Sequence, residues 1–245
     1  MSFVQEIAQK NLKNRPGRSV GMGLLAAFLA FTIFGGAVVL MSLRNGLSSY
    51  EKRLGADIVV VPISATGHGS VDDILLQGIT GNYYMNAQTV SKIRAIDGIE
   101  QLSVQFYLTS AKASCCSTRV QIIGIDPATD FSIQPWIRET FSGEMGDGDL
   151  IAGANINVPM DRQIQFYGKQ YRVVSQLSRT GTGLDSAVYT NMNTIKQMAE
   201  NAVALLNTES LQGVNISTAA SAIMIKVADG YSISQVADDI NIHIT

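Results

Sequence analysis

The spacing of apolar side chains changes character several times along the chain, and each change predicts an element. Residues 1–19 place Phe3, Val4, Ile7, Ala8 and Leu12 at helical intervals, with Gln5, Gln9, Lys10 and Lys13 on the other side. That is the pattern of an amphipathic helix lying on a membrane surface, with a frayed tail as the alternative reading. Pro16 and Gly17 break it and let the chain turn. From Val20 to Leu43 no side chain is ionisable. As a helix this stretch measures about 36 Å at 1.5 Å per residue, against a hydrocarbon core of about 30 Å, so 20–43 makes one tilted membrane span. It exceeds the roughly 7–15 residues of a signal-peptide core, and no small-x-small cleavage site follows.

Beyond the span, Leu43, Leu47, Tyr50 and Leu54 recur at intervals of four, three and four, while Arg44, Ser48, Ser49, Glu51, Lys52 and Arg53 fill the remaining positions. A helix therefore continues through 44–56 as a stalk with one apolar seam. Such a seam needs a second surface, either another helix or the chain's own outer domain.

At Ala56 the period changes. "ADIVVVP" reads as a buried strand closed by Pro62. "NAQTVSKIRAIDGIEQLSVQFYLTSAK" predicts a helix with Val90, Ile93 and Ile96 inward, a turn at Asp97 and Gly98, and a long strand from Ile99. Near the end, "SAIMIKVADGYSISQVADDINIHIT" repeats the order. Its strand runs from Ala222 to Val227, and its helix begins near Ser232 with Ile233, Val236 and Ile240 inward. Between these halves the texture is β-rich: a strand ending at Asp126, a short buried strand in "GDGDLIAGANI", a hairpin about Gly168 and Lys169, a glycine-containing loop "RTGTGLDSAVYTN", and a helix from about Asn193 to Leu206. The expected fold is an α+β outer domain over 57–245 on one span and stalk. Two strand-helix halves, 57–112 and 221–245, would form a first lobe, with 113–220 inserted as a β-rich lobe.

Charge refines this picture. Of 18 basic and 20 acidic side chains, four basic and one acidic precede Arg44, leaving fourteen and nineteen from Arg44 onward. A mildly acidic outer part makes nucleic acid an unsuitable partner. Lys10, Lys13, Arg15 and Arg18 outnumber Arg44, Lys52 and Arg53 at the other flank, which favours a cytoplasmic N-terminus and an extracytoplasmic main domain.

Candidate chemistry is sparse, and neither catalysis nor a cofactor or metal is expected. The two histidines, His68 and His243, have no metal-ligand spacing around them. No G-x-x-x-x-G-K-[ST] loop and no G-x-S-x-G elbow occurs. "DGD" at 147–149 starts like a calcium loop, but Val158 stands where the bidentate Glu belongs. In "DPATDFSIQPW", Asp126, Asp130, Phe131 and Trp136 form either a contact loop or a structural loop whose aromatic residues fill the core. Cys115 and Cys116 are the only cysteines. Adjacent strand residues point to opposite sides, which leaves three readings: two small reduced residues, a strained vicinal disulfide forming a redox pair, or an intermolecular bridge.

The order of basic amphipathic helix, "NLKNRPGRS", span, stalk, "GADIVVVP", "DLIAGANIN" and "YGKQYRVVSQLSRTGTGLDSAVYT" resembles the ABC-transporter permeases with a MacB-type periplasmic core domain and an FtsX-like membrane domain. The resemblance rests on the order of elements rather than on a catalytic signature. It implies a non-catalytic subunit in the cell membrane that couples hydrolysis by a separate ATPase to movement of the outer domain. Its partners would be that ATPase, a second permease subunit, identical or not, and the lipid bilayer; the cargo would be peptide, lipoprotein, lipid or drug. It also implies three further spans after the outer domain, so that the present chain is the N-terminal part. The competing reading is a single-span receptor or adaptor with a ligand-sensing outer domain. In the permease reading Leu47→Asp uncouples ATP hydrolysis from transport while leaving the outer domain folded; native transport in that variant would remove the seam from the mechanism.

Overall fold

The computed structural model describes residues 16–66, 73–110, 116–206 and 211–244. The chain forms two compact units, Met1–Glu51 and Lys52–Thr245. The amphipathic helix expected over residues 1–19 lies almost wholly outside the described residues.

Helix α1, Pro16–Leu54, is continuous over 39 residues, about 58 Å at 1.5 Å per residue. Pro16 is its first residue, where a missing N–H costs nothing. The apolar segment Val20–Met41 lies within it, and none of that segment is buried. Phe28, Phe31, Phe34, Leu24 and Leu25 are all exposed, so the helix is apolar on every side rather than along one stripe.

The second unit is built on one eight-stranded sheet. Its strands are β1 (Ile58–Val60), β2 (Ile99–Thr109), β3 (Gln121–Ile125), β4 (Asp149–Ala152), β5 (Gln163–Phe166), β6 (Lys169–Gln176), β7 (Ala187–Asn191) and β8 (Ala222–Val227), in the order β1-β8-β2-β3-β7-β4-β6-β5. The β3/β7 and β4/β6 pairs are parallel and the others antiparallel. Among the described residues four α-helices join it: α2 (Ala87–Arg94), α3 (Gln134–Thr140), α4 (Met192–Leu206) and α5 (Ile233–Ile244).

Strand β2 organises the sheet. Residues 99–105 pair with β8 and residues 106–109 with β3. Alternation along a strand sends successive side chains to opposite faces. Leu102 and Val104 pack on the cluster of α2 and α5, which contains Ile93, Val236 and Ile240. Phe106 and Leu108 continue into the cluster of α4, with Ile195, Met198 and Ala202. Tyr107, on the other face, enters the cluster of α3 with Trp136, Ile137 and Tyr189. Burying a side chain such as Val236 or Ile240 contributes about 1.5–3 kcal/mol, and this burial outweighs helix propensity in holding such short helices. Asn86 caps α2 by accepting from the N–H groups of Gln88 and Thr89 at 2.9 and 3.3 Å.

Three local expectations are corrected. "ADIVVVP" holds an edge strand rather than a fully buried one: β1 has only β8 beside it and Val59 is 36% exposed. The helical spacing turns Ile233 inward, but as the first residue of α5 it stays outside the cluster of Val236 and Ile240 and is half exposed. The hairpin turn falls on Tyr167 and Gly168, one residue earlier than expected, with Phe166 opposite Lys169. Both turn residues have positive φ, 49° and 77°, the requirement of a primed two-residue turn. Tyr167 tolerates that backbone because its hydroxyl is anchored, donating to the Thr109 carbonyl at 2.7 Å.

Tyr107 and Tyr189 are fully buried, and their hydroxyls donate to Gln105 Oε1 and the Leu184 carbonyl, each at 2.8 Å. Burial foremost pushes both phenols well above the usual value of 10.0; Tyr83 and Asp130 add to the effect at Tyr107, and Tyr107, Asp185 and Asp130 at Tyr189. A phenol whose pKa is raised on folding holds its proton more tightly in the folded state. Its contribution is complete below the unfolded value near pH 10 and is lost as pH rises toward the folded value. In an alkaline absorbance titration these two tyrosines are expected to ionise only together with unfolding. Reversible ionisation of Tyr107 and Tyr189 near pH 10 with the fold intact would contradict this.

Candidate functional site: the Asp130 loop and the neighbouring groove

The turn after β3 is closed by Asp126. Its carboxylate accepts from the Ala128 N–H at 3.0 Å and the Thr129 hydroxyl at 3.1 Å. Asp130 follows, only 7% exposed. Its Oδ1 accepts from the backbone N–H groups of Ser132, Ile133 and Gln134 at 3.1, 2.6 and 2.8 Å, which tethers the start of α3. Its Oδ2 accepts from the hydroxyls of Ser103 and Ser132, both at 3.1 Å, and from Gln105 Nε2 at 3.4 Å. Gln105 also donates to Ser132 Oγ at 3.0 Å and accepts from Tyr107. A buried carboxylate needs this degree of satisfaction, since a charge removed from water is costly unless its lone pairs are occupied. With its acceptor sites taken up inside the protein, Asp130 joins α3 to β2 and offers no free base.

The same loop meets the start of the sheet-bearing unit. Gly55, just past the end of α1, has φ +48°, the left-handed conformation common after a helix C-terminus. A Cβ there would stand 2.9 Å from Ser132 Cα and 3.0 Å from the Phe131 carbonyl oxygen. Both backbone conformation and space therefore call for glycine at this position, three residues before β1.

The four residues of the candidate contact loop do not share one surface. Asp126 is half-buried in its turn, Asp130 is buried, Phe131 is half-buried against the α3 cluster, and Trp136 is 4% exposed with its ring edge-on to Tyr189 at 5.7 Å. Leu43, Leu47, Tyr50 and Leu54 lie on the α1 backbone, and their side chains fall outside what is described. Cys115 and His68 are outside the described residues, so the pairing of Cys115 with Cys116 is too. Cys116 is buried in the cluster beneath α4. His243 sits on α5 with Nδ1 2.8 Å from the Asp239 carbonyl oxygen.

Two acidic motifs are bound up internally. Asp147 accepts from Asn191 Nδ2 at 2.8 Å, and Asp149 pairs with Arg172 at 2.9 Å. In the "RTGTGLDS" loop the N–H groups of Thr180 and Gly181 donate to Asp185, which is 1% exposed. The chain's own carboxylate thus fills the position an anion would take. Gly183 lets two backbones meet, since a Cβ there would stand 2.2 Å from the Gly78 nitrogen.

A groove of about 980 Å³ was not foreseen from the sequence. Val90 and Arg94 of α2, Leu102 and Val104 of β2, and Met192 and Lys196 of α4 line much of it. Its walls come from segments far apart in the chain, and no spacing rule joins them. A smaller hollow of about 510 Å³ borders the Asp130 loop at Gln101, Phe131 and Arg138.

No family model matches the chain, and no curated protein matches it. Several solved structures show similarity, two extracytoplasmic transporter domains among them. One is the extracellular domain of the noncanonic ABC-type transporter YknZ from Gram-positive bacteria, 12% identical over 62% of this chain and 78% of that one, with a TM-score of 0.38. The other is the periplasmic region of MacB from Actinobacillus actinomycetemcomitans, 10% identical over 66% of this chain and 72% of that one, also with a TM-score of 0.38. Identity and score at these levels assign no function.

Asp130→Ala removes the acceptor for several buried donors at once. It is expected to destabilise the sheet-bearing unit by about 3–5 kcal/mol, at the upper end of single-residue effects. Asp126→Ala, at the half-buried turn, should cost about 1 kcal/mol or less. Trp136 is the only tryptophan and adjoins the loop, so urea unfolding followed by its fluorescence reads both variants. Equal stability of the two would remove Asp130 from this role.

Proposed function

We propose that the chain is the N-terminal part of a permease subunit of an ABC transporter, of the MacB-type and FtsX-like kind. It binds no nucleotide itself and passes movement driven by a separate ATPase to an extracytoplasmic domain. The observation that carries this reading is α1. It is continuous over 39 residues, about 58 Å, although an apolar segment of 22 residues, about 33 Å, already spans a hydrocarbon core of about 30 Å. A helix apolar on all sides is stable when covered by lipid or by other spans. Its continuation by roughly 20 Å past the apolar segment has the form of a lever arm rather than of a plain anchor.

Two further features support the reading. The order of motifs along the chain resembles that of such permeases, and Gly55 seats the chain against the Asp130 loop directly after the helix ends. The basic excess before the span supports a cytoplasmic N-terminus. The partners are the ATPase subunit, a second permease subunit and the bilayer, and the cargo is a peptide, lipoprotein, lipid or drug.

Orientation is the part open to the simplest test. A cysteine introduced by Glu100→Cys, on an exposed strand position, is expected to react with a membrane-impermeant maleimide on intact cells, whereas one introduced by Lys10→Cys reacts only after lysis. The reverse pattern would overturn the topology, and with it an extracytoplasmic domain driven from inside.

A further inference from the structure

The groove between α2, β2 and α4 has no part in the proposed transport role. Its volume of about 980 Å³ lies within the range of small-molecule sites, roughly 300–1,000 Å³. The apolar lining is aliphatic or sulfur-bearing, with Val90, Leu102, Val104, Met145 and Met192, and no aromatic side chain among the described residues lines it. Methionine adapts its shape to what it touches, so this lining suits a flexible alkyl chain better than a rigid planar ring.

Its charge is uneven. Arg94 and Lys196 line it together with one carboxylate, Asp126. Both Asp126 oxygens already accept within their own turn. Arg94 is exposed and forms no ion pair with another described residue. Lys196 gives one N–H to the Ser217 carbonyl, and burial pushes its pKa down. A nearby negative charge would favour its charged form again. Two cations and one carboxylate leave a single positive charge, which one negative charge on a ligand would match.

We infer that this groove binds an amphipathic carboxylate, with an unbranched alkyl chain on the lining of Leu102, Val104 and Met192 and the carboxylate held by Arg94 and Lys196. Arg94 offers a planar fork of donors that fits a carboxylate with two parallel hydrogen bonds, and Lys196 adds a point charge. The inference is independent of transport, since it needs only the groove.

The test is calorimetric titration of the full chain in nanodiscs of zwitterionic lipid, with empty nanodiscs subtracted. Octanoate is expected to bind at least about tenfold more tightly than octanamide, which lacks the charge, or acetate, which lacks the chain. Arg94→Gln is expected to bring octanoate down to the level of octanamide, and Arg94→Lys to keep most of the affinity. Arg94 is exposed, so these variants should fold, and circular dichroism is the check that they do. Equal binding of octanoate and octanamide, equal binding of acetate and octanoate, unchanged binding in Arg94→Gln, or tighter binding of octyl phosphate would each overturn the inference.

Discussion

Strand β2 is the constraint on which the sheet-bearing unit depends. It pairs with β8 along residues 99–105 and with β3 along residues 106–109, so one strand carries hydrogen bonds to two groups of elements. It also contributes to three apolar clusters, with Leu102 and Val104 in one, Phe106 and Leu108 in another, and Tyr107 on the opposite face in the third. A slip of one residue would turn every one of these side chains to the wrong face, so burial on both faces sets its register.

Two of the polar residues of β2, Ser103 and Gln105, are as buried as its apolar ones. They are tolerated because Asp130 and Ser132 complete their hydrogen bonds. The Asp130 carboxylate in turn is tolerated because backbone N–H groups at the start of α3 share it. Neither group would be stable in the interior without the other. Gly55 lies against the same loop, so the segment that follows α1, the loop and the central strand form one continuous path of close contacts.

Elements with a strong period were legible in the sequence. Ala222 to Val227 is a strand at the expected bounds, α4 begins within a residue of its expected start, and the turn at Asp97 and Gly98 leads into β2 at Ile99 as the spacing predicts. Local chemistry explains each case, since β-branched runs, helical spacing and glycine turns act over a few residues. Misreadings occurred where burial depended on a distant neighbour. Whether "IVV" is central or at an edge depends on how many strands flank it, and whether Ile233 is covered depends on where α5 overhangs its cluster. The aromatic and acidic residues of "DPATDFSIQPW" were visible as a group, but their division between a turn, a buried cap and a core could not be read from their spacing.

What the sequence determined by itself was therefore local: one uncharged stretch long enough to cross a bilayer, a helix leading out of it, and an α+β chain punctuated by glycines. These follow from side-chain hydrophobicity and backbone preference within a few residues of each position. Only the tertiary structure decided that the strands share one sheet through β2, that Asp130 and Asp185 are internal caps, and that Arg94 and Lys196 line one groove. Those outcomes depend on which distant segments meet, and a linear pattern carries no record of such meetings.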